Sequence, residues 1–325
     1  MQITKKILSR LNGLHYPQEY LCLAKESFQN PLHLYLVVNG QVIKDITNRH
    51  LFTGYCPLIF TLPSSTEINL SQFPRIRIIF SQDILQPNEI FLEKDAVAVL
   101  DLQQIHKQTV NNDTIYYYEG TRGKHHFVSS FHQVILNFNN NLYNKKPGNV
   151  FLPGNLYKQV QIAYALPRII SLVTIKQNDL FNLFPTDLHG QINEQNYVIS
   201  LRHGGKAAQQ VELTKKILIT EIHAGFYKTV YSLGKNHMQG PKEKDKLPFS
   251  DNISPGLQLP LPQQVLHYRE LELQDSFLYG IHKLFLFKII YQQAVNDEPA
   301  TLAHVHNCYA TWRYKHRISS NFLLR

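Results

Sequence analysis

The residues with the strongest chemical potential in this chain open and close one short stretch, residues 166–187, LPRIISLVTIKQNDLFNLFPTD. Arg168 carries a planar fork of donors that suits phosphate, Ser171 and Thr174 add hydroxyls along an apolar strand, and Asn182 adds an amide that both donates and accepts. With the backbone of Val173, Thr174 and Ile175 at a corner after the strand, this set suits a planar, anionic, hydrogen-bonding ligand. The plain alternative is a strand with a solvated arginine and an ordinary turn. A second stretch, residues 197–213, YVISLRHGGKAAQQVEL, places Ser200, Arg202 and His203 at a strand end, then Gly204 and Gly205, then Lys206 at a helix entry. Glycines let backbone N–H groups approach a phosphate, and the helix N-terminus and Lys206 add positive charge. In a third, Gly280-Ile281-His282 opens a very apolar strand, where an imidazole can donate a hydrogen bond or a proton near neutral pH. One histidine among 16 is more often structural.

Other constellations carry less. His304, His306 and Cys308 are ligand types whose alternation on a strand would share one face, but zinc needs a fourth group and none follows, so no metal site is expected. His125 and His126 have no carboxylate or nucleophile arranged around them. No G-x-S-x-G, P-loop or H-E-x-x-H occurs.

The elements that must hold these residues read as strands. Runs rich in Val, Ile, Tyr and Phe (LHLYLVV, PLIFTL, RIRIIF, AVAVLDL, TIYYY, SLVTI, YVISL, KILITEI, KLFLFKIIY) alternate with polar turns, so the chain is expected to be mainly β with a few helices. Helices are expected at residues 20–29, within 130–142, after Leu156, and at 204–213. Residues 139–154, NNNLYNKKPGNVFLPG, read as the linker between a β-rich domain at 1–138 and a second domain at 155–325. Residues 234–262 form a second irregular segment, long enough for a binding loop or for a surface insertion. The halves echo one another: Leu36 matches Leu172 at an offset of 136, Ile59 matches Ile199 at 140, and GKHHFV from Gly123 matches GIHKLF from Gly280 at 157. Repeat and chance both remain open at this point.

Composition bounds the partners. In 325 residues, 33 Lys and Arg against 24 Asp and Glu leave a net charge of +9, yet the basic residues never form a run of five, so nucleic acid is unlikely as a partner class. Three scattered cysteines fit a reduced compartment. The N-terminus has no apolar signal-like core and no 18-residue apolar run occurs, so the cytoplasm is expected and no membrane partner.

The order of the motifs resembles the flavin reductase-like, FMN-binding split-barrel family. Its Pro-Arg strand with a Val-Thr-Thr-like corner matches Pro167-Arg168 through Val173-Thr174-Ile175, and its Asn-x-x-Pro segment matches Asn182 to Pro185. Its strand into a lysine-bearing helix start matches Ser200 to Lys206, its Asp-Lys loop matches Asp245-Lys246, and its Gly-Asp-His strand matches Gly280-Ile281-His282. The resemblance spans about residues 157–291. Departures are Ile175 for the second threonine, Asp179 for a glycine, Thr186-Asp187 for a small residue and Ile281 for an acid. The resemblance implies a split β-barrel in the second half; if the internal echoes are a repeat, the β-rich first half is a degenerate second barrel that holds no flavin of its own. It implies FMN as cofactor and NAD(P)H as electron donor, with the chain working as a flavin reductase or related oxidoreductase, or alternatively as a flavin-binding or structural protein without catalysis. Arg168, Ser200, Arg202 and Lys206 would hold the phosphate. Ser171, Val173, Thr174, Ile175 and Asn182 would meet the ring and ribityl chain, and His282 would act beside the ring. A homodimer, or a pseudo-dimer within one chain, would complete the pocket.

Overall fold

Runs of β-branched and aromatic residues gain most from a pleated, half-buried surface, and here they pair into antiparallel ladders. The computed structural model describes residues 7, 9–16, 20–24, 32–63, 70–110, 113–143, 145, 150–296 and 300–318. The strands are β1 (Tyr20–Ala24), β2 (His33–Val38), β3 (Gln41–Asp45), β4 (Leu51–Tyr55), β5 (Leu58–Pro63), β6 (Arg75–Ser81), β7 (Ala98–Val110), β8 (Asp113–His125), β9 (Arg168–Ile169) and β10 (Ser171–Gln177). They continue with β11 (Leu180–Thr186), β12 (His189–Gln191), β13 (Asn196–Arg202), β14 (Lys216–Ile222), β15 (Phe249–Ile253), β16 (Pro260–Pro262), β17 (Val265–Tyr279), β18 (His282–Ala294) and β19 (Thr301–Val305). The helices are α1 (Ser130–Tyr143), α2 (Leu156–Ala163), α3 (Lys206–Thr214), α4 (Tyr227–Ser232) and α5 (Asn307–Lys315). Among the described residues no helix is long and apolar enough to cross a membrane.

The chain forms two compact units, one of residues 1–20, 26–167 and 305–325, the other of residues 21–25 and 168–304. The division therefore falls at Pro167/Arg168 and not within residues 139–154. Asn139 continues helix α1, whose Asn140 donates to the Leu152 carbonyl at 2.9 Å, so this polar segment is tied down inside the first unit. Residues 144 and 146–149 of the expected linker lie outside the described residues. The expected helix at residues 20–29 is β1 as far as Ala24, and residues 25–29 lie outside the described residues. The helices expected near 130, 156 and 204 are α1, α2 and α3.

The second unit is built on a seven-stranded antiparallel sheet in the order β11-β10-β14-β17-β18-β13-β12. Phe184 of β11 and Ile199 of β13 lie five strand spacings apart along this sheet, about 24 Å if it were flat. They nevertheless share one buried cluster with Val173, Ile219, Leu271 and Phe285, so the sheet curls into a half-barrel around its core. Helix α3 inserts Ala207, Ala208 and Val211 into the same cluster. The sheet of the first unit runs β3-β2-β6-β7-β8-β5-β4, the same path with each strand replaced by its counterpart. Leu36 and Leu172 lie on the counterparts β2 and β10, and Ile59 and Ile199 on β5 and β13. The third echo does not hold: Gly123 is near the end of β8, whereas Gly280 precedes its counterpart β18. Gly280, with φ 57°, is the turn of the β17–β18 hairpin, whereas Gly123 lies within a strand, so the shared letters carried no register. The irregular residues 234–262 lie between β14 and β17, where the first unit has only the shorter connection from β6 to β7.

Candidate functional site

Pro167 bars a helix and delivers Arg168 into β9, which pairs with β19 at Arg168↔His304. The guanidinium is buried and donates to the Asp187 carbonyl from Nη2 at 3.0 Å and from Nε at 3.3 Å; Nε also lies 3.8 Å from Asp187 Oδ2. His304 Nδ1 lies 3.5 Å from the same carboxylate oxygen. The arginine read as a phosphate ligand is thus held inside the protein by the end of β11. Asp187, which in sequence looked like a departure in a small-residue position, is its partner.

The Val173–Ile175 segment is no corner. It lies within β10, paired to β11 and, as far as Thr174, to β14, so its backbone donors are spent in the sheet. Val173 and Ile175 point into the buried cluster and cannot touch a ligand with their side chains. The turn comes later, at Asn178 with φ 55°. The Ser171 and Thr174 hydroxyls are buried and have no hydrogen-bond partner among the described residues. Three positions apart on one strand, they face opposite sides of the sheet and cannot line one pocket. Asn182 is also committed: its amide donates to Gln210 Oε1 at 2.7 Å and to the Asn236 carbonyl at 3.2 Å, tying α3 and the long insertion to β11.

Four sequence-derived residues do converge. Arg202 pairs with His282 across β13 and β18, Ser200 Oγ sits 3.1 Å from His282 Nδ1, and the field at His282 comes from Arg202, Arg168, Asp187 and His203. His282 is fully buried, and burial first, then the neighbouring guanidinium groups, pulls its pKa down to about 4. This buried imidazole bonded to Ser200 orients the strand pair, a setting unlike the accessible proton donor expected from the sequence.

Beyond the strand, the main chain turns at His203, whose N–H bonds to the Ile281 carbonyl, and at Gly205, whose N–H bonds to the Arg202 carbonyl. Helix α3 then begins at an exposed Lys206, with Gly205 as an N-cap that supplies no side-chain acceptor. Space beside Gly204 is open, with no atom within 4 Å of where a Cβ would stand. The turn is exposed at His203, Gly204 and Lys206, whereas Gly205, Ala207 and Ala208 are buried, with the His237 carbonyl 3.3 Å from where a Gly205 Cβ would stand, and Arg202 is half-buried, so the start of α3 gives this turn a positive polarity.

Sequence reading missed the polar network inside the second unit. His189 Nδ1 meets the Tyr197 hydroxyl at 2.7 Å, Arg269 Nη1 donates to Glu221 at 2.8 Å, and Glu270 Oε1 accepts the backbone N–H groups of Gly256 and Leu257 at 3.0 and 2.8 Å. The alternation in HYRELELQ located β17 but not which charge faced which neighbour. His304, His306 and Cys308 do not share a strand face: His304 ends in β19, while His306 caps α5, its Nδ1 accepting from the Cys308 N–H at 3.2 Å. A groove of about 460 Å³ in this unit is lined by Ile170, Pro185, Val230, Tyr231, Gly234 and Lys235, and none of the ten candidate residues lines it.

His125, His189 and His282 are each lowered by burial from the ordinary 6.5 to about 4. The unfolded chain binds these protons first, so stability is complete above pH 6.5 and declines as pH falls towards 4, by up to about 3 kcal/mol for each group. Thermal midpoints across this range should drop steeply in the native chain. His282→Asn should flatten the slope, and an unchanged slope would remove His282 from the acid response.

No family model and no curated protein matches this chain. Solved structures do resemble part of it. The NADH:FAD oxidoreductase of Streptomyces globisporus C-1027 aligns at 14% identity and a TM-score of 0.40, over 50% of this chain and 96% of that one. The FMN-binding protein of Thermus thermophilus with bound p-hydroxybenzaldehyde aligns at 15% and 0.37, over 40% and 74%. The styrene monooxygenase flavin reductase of Pseudomonas putida S12 aligns at 14% and 0.37, over 43% and 87%. Flavin reductases and FMN-binding split-barrel proteins are what part of this chain is similar to.

Proposed function

We propose that the second unit binds FMN, with the phosphate at the turn from Arg202 to Lys206. The observation that carries this reading is the turn itself: an uncapped helix start, open space beside Gly204, and two cations from one five-residue stretch. These features fit a dianionic phosphate, which the positive end of α3 would attract while Lys206 and Arg202 neutralise its charge. Ser200 supports Arg202 through His282, and Arg168 is engaged by Asp187, so in this reading both position and do not bind. Bound flavin would supply two-electron chemistry with NAD(P)H as donor, which makes a flavin reductase or related oxidoreductase the enzymatic form of this proposal. The burial of His282 favours a second reading, a flavin-binding protein without catalysis, because no proton-donating side chain then stands ready beside the ring. A two-fold homodimer, or a pseudo-dimer within one chain, is part of the proposal, and sedimentation equilibrium distinguishes the two.

Mass spectrometry of material released on denaturation should find FMN, or FMN titration of the purified protein should quench flavin fluorescence to saturation. Lys206→Ala removes a charge-assisted contact of about 1.5–3 kcal/mol and should weaken FMN about tenfold or more while the thermal midpoint stays in place. Neither released flavin nor saturable quenching would end the flavin reading. Oxidation of NADH or NADPH by the flavin-loaded protein separates the enzyme from the binder.

A further inference from the structure

The two sheets share one strand path, so the face that forms the barrel core in the second unit has a counterpart in the first. Setting Leu36 against Leu172 and following the ladders outward, the row Val37–Arg77–Asp101 corresponds to Val173–Ile219–Arg269, and the row Arg75–Gln103 to Ile217–Leu271. In the second unit Val173, Ile217, Ile219 and Leu271 lie in the buried cluster that α3 fills. The first unit has Arg75, Arg77 and Gln103 where those isoleucines and the leucine stand. Among its described residues the connection from β5 to β6 holds only the 3-10 turn Leu70–Gln72. The apolar cluster on this face is accordingly small, formed by Tyr35, Val37, Val42, Ile79, Ala96 and Val99. Beside it lies a groove of about 580 Å³ whose lining includes Val37 and the polar residues Asn39, Arg75, Arg77, Asp101, Gln103 and Thr121, while the side chains of Ile76 and Leu102 turn to the other face of the sheet.

The charge in this groove is arranged and not balanced. Arg77 Nε meets Asp101 Oδ1 at 2.6 Å, and Arg122 bridges Asp101 at 3.1 Å and Glu93 at 2.7 Å. Lys124 adds a third cation on Glu93 at 3.0 Å. Both carboxylates are therefore neutralised within the network, and Arg122 and Lys124 hold Glu93 down at about 2. Arg75, exposed at the groove, has no ion pair or hydrogen bond among the described residues. Arg77 shares its carboxylates, Asp101 at 2.6 Å and Glu93 at 3.7 Å, with Arg122 and Lys124, and guanidinium groups whose counterions are shared or missing, in a groove of a volume typical of ligand pockets, recognise planar oxyanions.

We infer that this groove is a binding site for a small organic anion bearing a carboxylate or phosphate group, held by Arg75 and Arg77 and oriented by Gln103 and Thr121. It lies wholly in the first unit and is independent of the flavin reading. Isothermal titration of the purified chain with citrate, pyrophosphate and AMP, each against sodium chloride at matched ionic strength, tests it. At least one probe should bind saturably, citrate alone identifying a carboxylate site and pyrophosphate or AMP a phosphate site. Arg75→Glu should weaken that binding about tenfold or more with the fold intact, because Arg75 is exposed and supports nothing. Lys206→Ala should leave it unchanged. Heats matched by sodium chloride, no saturable binding of any probe, or binding that survives Arg75→Glu would overturn the assignment.

Discussion

Phe285→Ala should destabilise the second unit by about 3–5 kcal/mol, the range for emptying a fully buried aromatic site. Phe285 has no exposed surface, sits 6.2 Å from Phe287 between ring centroids, and lies on β18, which pairs with both β17 and β13. Its ring fills the middle of the half-barrel, where strands from both ends of the sheet meet α3, so the cavity has few neighbours free to collapse into it. Urea unfolding followed by circular dichroism should show a lower midpoint with an unchanged slope. Leu278→Ala, at an exposed position near the hairpin tip, should stay within about 0.5 kcal/mol. A Phe285→Ala loss no larger than that of Leu278→Ala would mean that the strands do not close around this cluster.

Arg168→Ala should cost about 3 kcal/mol, near the lower end of the range for leaving one partner of a buried ionic pair behind. The side chain is only 6% exposed, and its loss strands the Asp187 carbonyl and removes the guanidinium from beside the Asp187 carboxylate. Asp187 itself is a quarter exposed, which keeps the expected cost below the upper limit. Differential scanning calorimetry reads this directly. Arg168→Lys should recover part of the loss through charge without the two-pronged contact to the carbonyl. Unchanged stability together with weaker FMN binding would instead return Arg168 to the phosphate.

Much of the fold was legible in the sequence because it depends on near-neighbour patterning. Runs such as RIRIIF, SLVTI and KLFLFKIIY state their strand character in any window that contains them, and β6, β10 and β18 formed there. The Gly204-Gly205 break announced α3 because few other residue pairs so readily separate a strand from a helix start. Tyr20–Ala24 was misread because its five residues, YLCLA, suit helix and strand alike, and pairing in the β1-β19-β9 sheet decided the outcome. Residue types alone determined that Arg168, Ser200, Arg202, Lys206 and His282 were capable of ligand chemistry. Tertiary structure decided which of them face solvent: Asp187 took Arg168, Ser200 and burial took His282, the sheet consumed the donors of Val173–Ile175, Arg202 became half-buried across from His282, and Lys206 was left exposed at the turn. The same holds for Arg75 and Arg77, ordinary strand arginines in sequence. Their meaning appears only when the ladders show that they occupy the positions held by Ile217 and Ile219 in the second sheet. Strand character is encoded locally, every second residue, whereas register, the facing strand and the burial of a charge depend on residues tens of positions away, and no local pattern specifies them.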